Sequence, residues 1–378
     1  LLRWNRLGGG LIIYSRDGST DLASLGIPGI PPGPRSNMRS WGIVRIDTLD
    51  SKNALPPSET VNMVSKELPR TLGSNQLATM REDFSKIWPL QDRFGSKAAH
   101  VTLFILVLLA FGIIVGPINL FVLAKSGQRH RLFITTPLIS FGASLILVIL
   151  ILFQDGFGGR GQQLILMEVL SDEGENTAYL TQEQISRTGV LLSTGFTTSE
   201  PCHLSQVLLA ESRWARLTPY NDGGNSRYSA KVEDQGLKVT GDWFQSRSEH
   251  GHKLEALRPS RGRIELKSGG GTPQITSTFA FPLTEVIYTD RDGKHWRAKE
   301  LHQGRSVEMA PLDKKRFREW RTTQRELFCE RNRFRVDMTV GRRAHFAAIS
   351  NAVPAIETLP DINWQDSHAL ITGPVRTH

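Results

Sequence analysis

The chain has 378 residues, 39% of them apolar and 22% charged, with a formal net charge of +9. That length suits two or three domains, and that composition is ordinary for globular protein. The only cysteines, Cys202 and Cys329, exclude a disulfide scaffold and a Cys-x-x-Cys zinc or redox motif. Spacing alone leaves their pairing open, and we expect free thiols. A basic excess suits nucleic acid or an anionic membrane surface, and a basic solvated surface is the simpler account. The averages hide a segregation, because two blocks in the middle carry no charge at all. The chain opens on Leu1 without an initiator Met, so we expect residues upstream, where any signal peptide would lie.

The first stretch, "LLRWNRLGGGLIIYS", reads as a helix end, a glycine turn and a strand from Leu11 to Tyr14. Glycines beside a strand raise the question of a phosphate loop. There the strand precedes the helix and Gly-Lys-Ser/Thr follows; here the order is reversed and no such lysine follows. "GIPGIPPGPRS" is an exposed loop. "SWGIVRIDTLD", Trp41 to Asp50, is a second strand. The two strand-bearing stretches resemble the late helix–strand step and the closing strand of class I glutamine-amidotransferase-like α/β domains. The resemblance implies that residues 1–54 are the end of such a domain. The family's nucleophilic Cys would lie upstream of Leu1, and no residue here matches it. Residues 55–97 read as a polar connector, helical at Ser58–Glu67 and Gln76–Ile87. Trp88 and Phe94 then follow as aromatics approaching a membrane interface.

From Val101 to Ala124 there are 24 residues without a charge, and Thr102 and Asn119 are the only clearly polar ones. A helix of that length spans about 36 Å, against a hydrocarbon core of about 30 Å. Leu132 to Phe153 adds 22 more uncharged residues. Neither block has the polar stripe of a soluble helix, so we expect transmembrane helices at 98–124 and 132–153. The short link "KSGQRHR", residues 125–131, makes them antiparallel neighbours. Its Lys125, Arg129 and Arg131 mark a cytoplasmic loop, with both termini outside the cytoplasm. Gly112 with Gly116, and Ser140 with Ser144, form small-x-x-x-small pairs at matching depth, expected to face each other. Pro117 and Pro137 should kink their helices. Asn119 suits an interhelix hydrogen bond rather than transport, since neither span holds an Asp, Glu, Lys or Arg.

Beyond Gly161 the texture is β. "QLILMEVL", "YLTQEQISRTGVLLS", "GLKVTGDWFQSRS", "HKLEALRP" and "RIELKS" read as short strands. "PLTEVIYTDRDGKHWRAKEL" is a hairpin turning at Asp290–Gly293. Lys314 to Glu330 reads as one basic amphipathic helix with Phe317, Trp320, Leu327 and Phe328 among its apolar residues. "RFRVDMTV" alternates as a strand, with Phe334, Val336, Met338 and Val340 on one face, and "HALITGPV" closes the sheet. The fold class is α+β: a two-helix transmembrane hairpin, an antiparallel β-sandwich-like domain over 154–378, and a partial amino-terminal α/β segment.

"VGPINLFVLAKSGQRHRLFITTPLIS" resembles the G-P-x-N-Y-x-V-L-R-R-x-x-R-R hairpin of a poorly characterised group of bacterial inner-membrane proteins. Gly116, Pro117, Asn119, Val122, Leu123 and Arg131 carry the match. The resemblance implies an inner-membrane location and a carboxy-terminal β domain outside the cytoplasm, and implies no mechanism. His250 and His252, beside Glu249, form a His-x-His that needs a third metal ligand, so a solvated turn is expected. "KSGGGTP" is a hairpin loop rather than an anion nest, and there is no G-x-S-x-G elbow. The residues suggest no catalytic, cofactor or metal site. The strongest surface feature is basic: Lys314, Lys315, Arg316, Arg318, Arg321 and Arg325, within eleven Lys and Arg between Asp313 and Arg343. The expected partners are the lipid bilayer and envelope proteins, with no nucleic acid and no small-molecule substrate. The expected role is an inner-membrane anchor presenting a β-rich domain for envelope interactions. One alternative is an envelope enzyme whose catalytic residues lie upstream. Another is the inverted topology, with a basic cytoplasmic binding domain.

Overall fold

A computed structural model of the protein describes residues 11–15, 44–48, 88–95, 101–123, 127, 129–172, 175–209, 212, 228–233, 236–267 and 271–377. Strands β1 (Leu11–Ser15) and β2 (Val44–Thr48) pair in parallel. The glycine turn, the proline-rich loop and the helices expected at 58–67 and 76–87 lie outside the described residues.

Helix α1 (Pro89–Phe94) precedes two apolar helices. The first of these, α2, is α-helical over Val101–Ile113 and continues as π-helix over Ile114–Leu123. Pro117, expected to kink the helix, lies inside that widened stretch. A short 3-10 turn, Arg129–Arg131, leads into α3 (Leu132–Asp155). The less exposed residues of α2 recur every four positions: Val107, Phe111, Val115 and Asn119. On α3 the matching stripe includes Thr136, Ile139, Ser140, Ala143 and Leu147. Asn119 is fully buried, donating through Nδ2 to Thr136 Oγ1 at 2.9 Å and accepting from Thr135 Oγ1 at 2.7 Å. This is the interhelix bond expected of it. Of the small residues, Ser140 lies on the stripe, while Gly112, Gly116 and Ser144 are exposed. A Cβ on either glycine would meet nothing within 4 Å.

Both helices are long and apolar enough to cross a membrane, with mean hydropathy 2.6 over Ile105–Val122 and 2.2 over Arg129–Leu150. Among the described residues little covers them, and Phe133 is 85% exposed. Two core helices of a soluble protein would be wrapped by their own domain.

The remainder is β-rich. It begins with β3 (Gly159–Asp172), β4 (Glu175–Thr188), β5 (Phe196–Thr197) and β6 (Cys202–Val207). Next come β7 (Tyr228–Glu233), β8 (Gly236–Gly241), β9 (Glu249–Pro259), β10 (Ile264–Lys267) and β11 (Gln274–Ser277). Strands β12 (Leu283–Thr289), β13 (His295–Leu301), β14 (Ser306–Glu308) and β15 (Ala310–Leu312) follow. Helices α4 (Lys314–Glu326) and α5 (Glu330–Thr339) precede β16 (His345–Ser350) and β17 (Ile362–Thr377). Among the described residues the main sheet runs β15-β13-β12-β16-β17-β3-β4-β9-β6, with β10, β11 and β14 joined through β17. Strands β5, β8 and β7 form a separate small sheet.

The sheet is mixed rather than antiparallel. Strand β17 pairs in parallel with β3 and with β10, and antiparallel with β16. Parallel neighbours need a long crossover, which the chain between β3 and β17 supplies. So "HALITGPV" does not close the sheet but lies near its middle. Its apolar run, like that of "QLILMEVL", suits a strand covered on both faces. Ile165, Met167 and Val169 pack on one face with Leu180, Phe346 and Ile371, joined by Ile264 and Ile275. Leu164 and Leu166 pack on the other with Trp88, Phe317, Phe328 and Val336. Helices α1, α4 and α5 therefore cover this second face.

Two local expectations differ. The single helix over 314–330 is two helices, parted at 327–329. "RFRVDMTV" falls largely in α5, not a strand. Positions 334, 336, 338 and 340 fit a period of two, but the buried residues are Asn332, Arg335, Val336 and Val340, which fit a helical period. Phe334 and Met338 face outward. The Asp290–Gly293 hairpin is as expected: the Asp290 carboxylate accepts the Asp292 and Lys294 amides at 2.9 and 2.8 Å. Gly293 supplies the positive φ of 85° that the turn needs.

Replacing Asn119 with Val removes both interhelix hydrogen bonds. We expect pairing of the two helices to weaken by about 1 kcal/mol, read as a lower unfolding midpoint of the hairpin in detergent.

Candidate functional site

Three places concentrate polar chemistry: the seam under the helical layer, the histidine pair on β9, and the basic end of the sheet. The seam is built around Glu183 of β4, which is fully buried. It accepts from the Trp88 indole at 2.7 Å, from the Cys329 amide at 3.1 Å and from Asn332 Nδ2 at 2.5 Å. Trp88, one of the two aromatics that lead toward the apolar helices, is 2% exposed and packs into the domain. Its seat exists because β9 carries Gly251, where a Cβ would come within 2.9 Å of the Trp88 ring. Phe94 likewise turns to the domain, with the Arg187 guanidinium 4.8 Å from its ring centroid. Arg187 also donates to the Gly95 carbonyl at 2.7 Å and to Glu249 at 2.6 Å. The segment just before the apolar helices is thus fastened to strands that come after them.

A second buried group adjoins the first. Arg335 donates to Glu168 at 3.1 Å and to Thr181 at 2.5 Å, and lies 4.6 Å from the Tyr179 ring centroid. The Tyr179 hydroxyl donates to Glu255 at 2.7 Å, and Lys253 pairs with Glu255 at 3.0 Å. Burial raises the Glu168 carboxyl, with Arg335 opposing. Burial also opposes ionisation of Glu255, but Lys253, His203 and Tyr179 outweigh it and hold the carboxyl below its usual range. These groups tie β3, β4, β9 and α5 together through charged hydrogen bonds. Burial, then the Glu183 carboxylate, pushes the Cys329 thiol well above its usual range, and burial pushes Cys202 up to about 11. Neither cysteine is a thiolate near neutral pH, and both are unpaired.

The histidine pair is not the solvated turn expected. His250 and His252 stand side by side on β9, nearly parallel at 16° with ring centroids 6.2 Å apart, packed on Phe244. The Trp243 carbonyl lies 3.0 Å from His252 Nε2, so that nitrogen carries the proton. Burial, with His250 adding to it, pushes His252 down to about 3. The adjoining cleft, lined by Gln206, Asp242, Gln245 and Glu249 among others, has room for about one water-sized group. Among the described residues no three His, Cys, Asp or Glu side chains converge on a metal position.

The six basic residues picked from the sequence separate into two sets. Arg321 and Arg325 both bind Asp337 of α5, at 3.0 and 2.8 Å, and so tie α4 to α5. Lys314, Lys315, Arg316 and Arg318 are exposed around the start of α4. Asp313 caps that helix through the Lys315 and Arg316 amides at 2.8 and 3.0 Å. The sequence reading missed Glu183, which stands in the polar run Thr181–Gln184 of β4 and gives no local sign of burial.

No protein-family model matches the chain, and no curated protein matches it. The site has to be read from its own geometry.

Two outcomes follow for the buried groups. Gly251→Val should displace Trp88 and lower stability by about 1–3 kcal/mol, measured by denaturant unfolding in detergent. A histidine with a lowered folded-state pKa takes its proton only when unfolded. His252 therefore leaves stability unchanged above its ordinary value near 6.5 and subtracts from it as pH falls from there toward 3. The His252→Asn variant should lose that part of the acid slope, so the stability difference from wild type narrows on acidification.

Proposed function

We propose that the protein is a bacterial inner-membrane protein of the G-P-x-N hairpin type. In this reading α2 and α3 cross the bilayer, the link at 125–131 is cytoplasmic, and both flanks lie outside the cytoplasm. The β-rich domain is held at the membrane surface to engage partner proteins of the envelope. Strands β10, β11 and β14, whose Ile264 and Ile275 join the core of the main sheet, form the second layer of a sandwich-like domain.

The observation that carries this reading is the fastening of Trp88–Gly95 to β3, β4 and β9. Those residues precede the two apolar helices, and the strands follow them. A chain whose flanks meet in one packed unit must return to the side it left, so it crosses an even number of times. The uncovered apolar surface of both helices supports the same conclusion.

The test is the sidedness of the β domain. Leu192 is 86% exposed, whereas Cys202 is half-buried with a raised thiol pKa and labels poorly. In a Cys202→Ser background, Leu192→Cys should react with a membrane-impermeant maleimide in intact spheroplasts. Labelling only after lysis would establish the inverted topology instead.

A further inference from the structure

We propose that the end of the sheet farthest from the apolar hairpin binds an acidic segment of a partner protein. This deepens the proposed function, since it names the partner chemistry of the presented domain.

The location follows from register. Strand β3 begins at Gly159, four residues after α3 ends at Asp155, and its 14 residues carry the chain about 45 Å from that start. At its far end Glu168 pairs with Thr372, and two residues on Pro374 pairs with His345. His345 pairs with Thr289, Thr289 with His295, and His295 with Leu312. Three connections therefore leave the sheet together at this end: the turn 290–294, the turn 341–344 and the start of α4 at 313–318. Gly293 and Arg343 Nε confirm the proximity, since a Cβ on Gly293 would lie 4.0 Å from that nitrogen.

These segments carry eight cations, Arg291, Lys294, Lys314, Lys315, Arg316, Arg318, Arg342 and Arg343, against three acids. The acids are mostly spent locally. Asp290 accepts two amides of its own turn and the Trp296 indole at 2.9 Å. Asp313 caps α4 and pairs with Arg316 at 3.4 Å. Among the described residues Arg291, Lys294, Lys314, Lys315, Arg318, Arg342 and Arg343 are exposed and have no ion-pair partner. The contrast with Arg321 and Arg325, both committed to Asp337, separates a binding surface from structural charge.

The occupant follows from what else is there. The only aromatic residue in the three segments, Phe317, is buried and stacked on His295 at 3.7 Å. Bases of single-stranded nucleic acid would find no ring to stack on. The protein's own bilayer lies at the opposite end of β3, so its headgroups are out of reach. Exposed lysine and arginine without partners, on a rigid sheet end, fit side-chain carboxylates of an acidic stretch.

The experiment uses the full chain in neutral-lipid nanodiscs and a fluorescein-labelled poly-glutamate peptide, followed by anisotropy at low and high salt. Wild type should bind, and salt should weaken binding. Lys294→Glu/Arg343→Glu should weaken it about ten-fold, whereas Lys231→Glu/Lys238→Glu, with the same charge change near the hairpin end, should leave it intact. Circular dichroism checks that both variants keep the fold. Absent binding at low salt, or equal loss in both variants, overturns the inference. So does tighter binding to a DNA duplex or to phosphatidylglycerol vesicles than to the peptide. The Leu192 labelling reports independently: labelling outside with no peptide binding leaves the anchored reading standing and sinks this one.

Discussion

One carboxylate removed from water governs how this molecule is assembled. Glu183 sits in the interior of β4, and burying such a group costs several kcal/mol unless every lone pair finds a donor. Its donors come from three places: the indole of Trp88, the backbone of Cys329 and the amide of Asn332. The first is 95 residues from Glu183 along the chain and the last 149. The price of burial makes the joint all-or-none, because losing one donor leaves the others holding an undersolvated charge. Through it the stretch ahead of the apolar helices and the two carboxy-terminal helices share one strand.

The other buried charges repeat that logic. Arg335 joins α5 to β3 and β4, and Arg187 joins the end of α1 to β4 and β9. Each links elements that no short connection would align. Perturbed ionisable groups commonly mark active sites, but here the perturbation comes from burial with matched partners. The domain uses its buried charge for cohesion, while one end of the sheet gathers seven exposed cations without an ion pair among the described residues.

What the sequence revealed was local. Two charge-free blocks are visible because length without charge needs no knowledge of neighbours, and Asn119 stood out as the one amide in an apolar span. The turn at Asp290–Gly293 was equally plain, since its bonds lie within five residues. Long-range facts were not legible. Nothing in "HALITGPV" tells a closing strand from a central one, because both are apolar. The stretch Phe334–Val340 fits a strand and a helix alike, and the packing of Val336 and Val340 decides it. Arg321 and Arg325 looked like free charge because Asp337 is a turn and a helix away. His250 and His252 looked solvated because polar residues usually are, yet they continue the inward rows of a strand bearing Leu254 and Ala256.

The parallel pairing of β3 with β17 also sets a timetable. Gln162 and Asp366, joined across that ladder, are 204 residues apart. At translation rates of about 5–20 residues per second, β3 waits roughly 10–40 s for its neighbour. Throughout that interval an apolar strand shows an empty edge, the template on which foreign strands add.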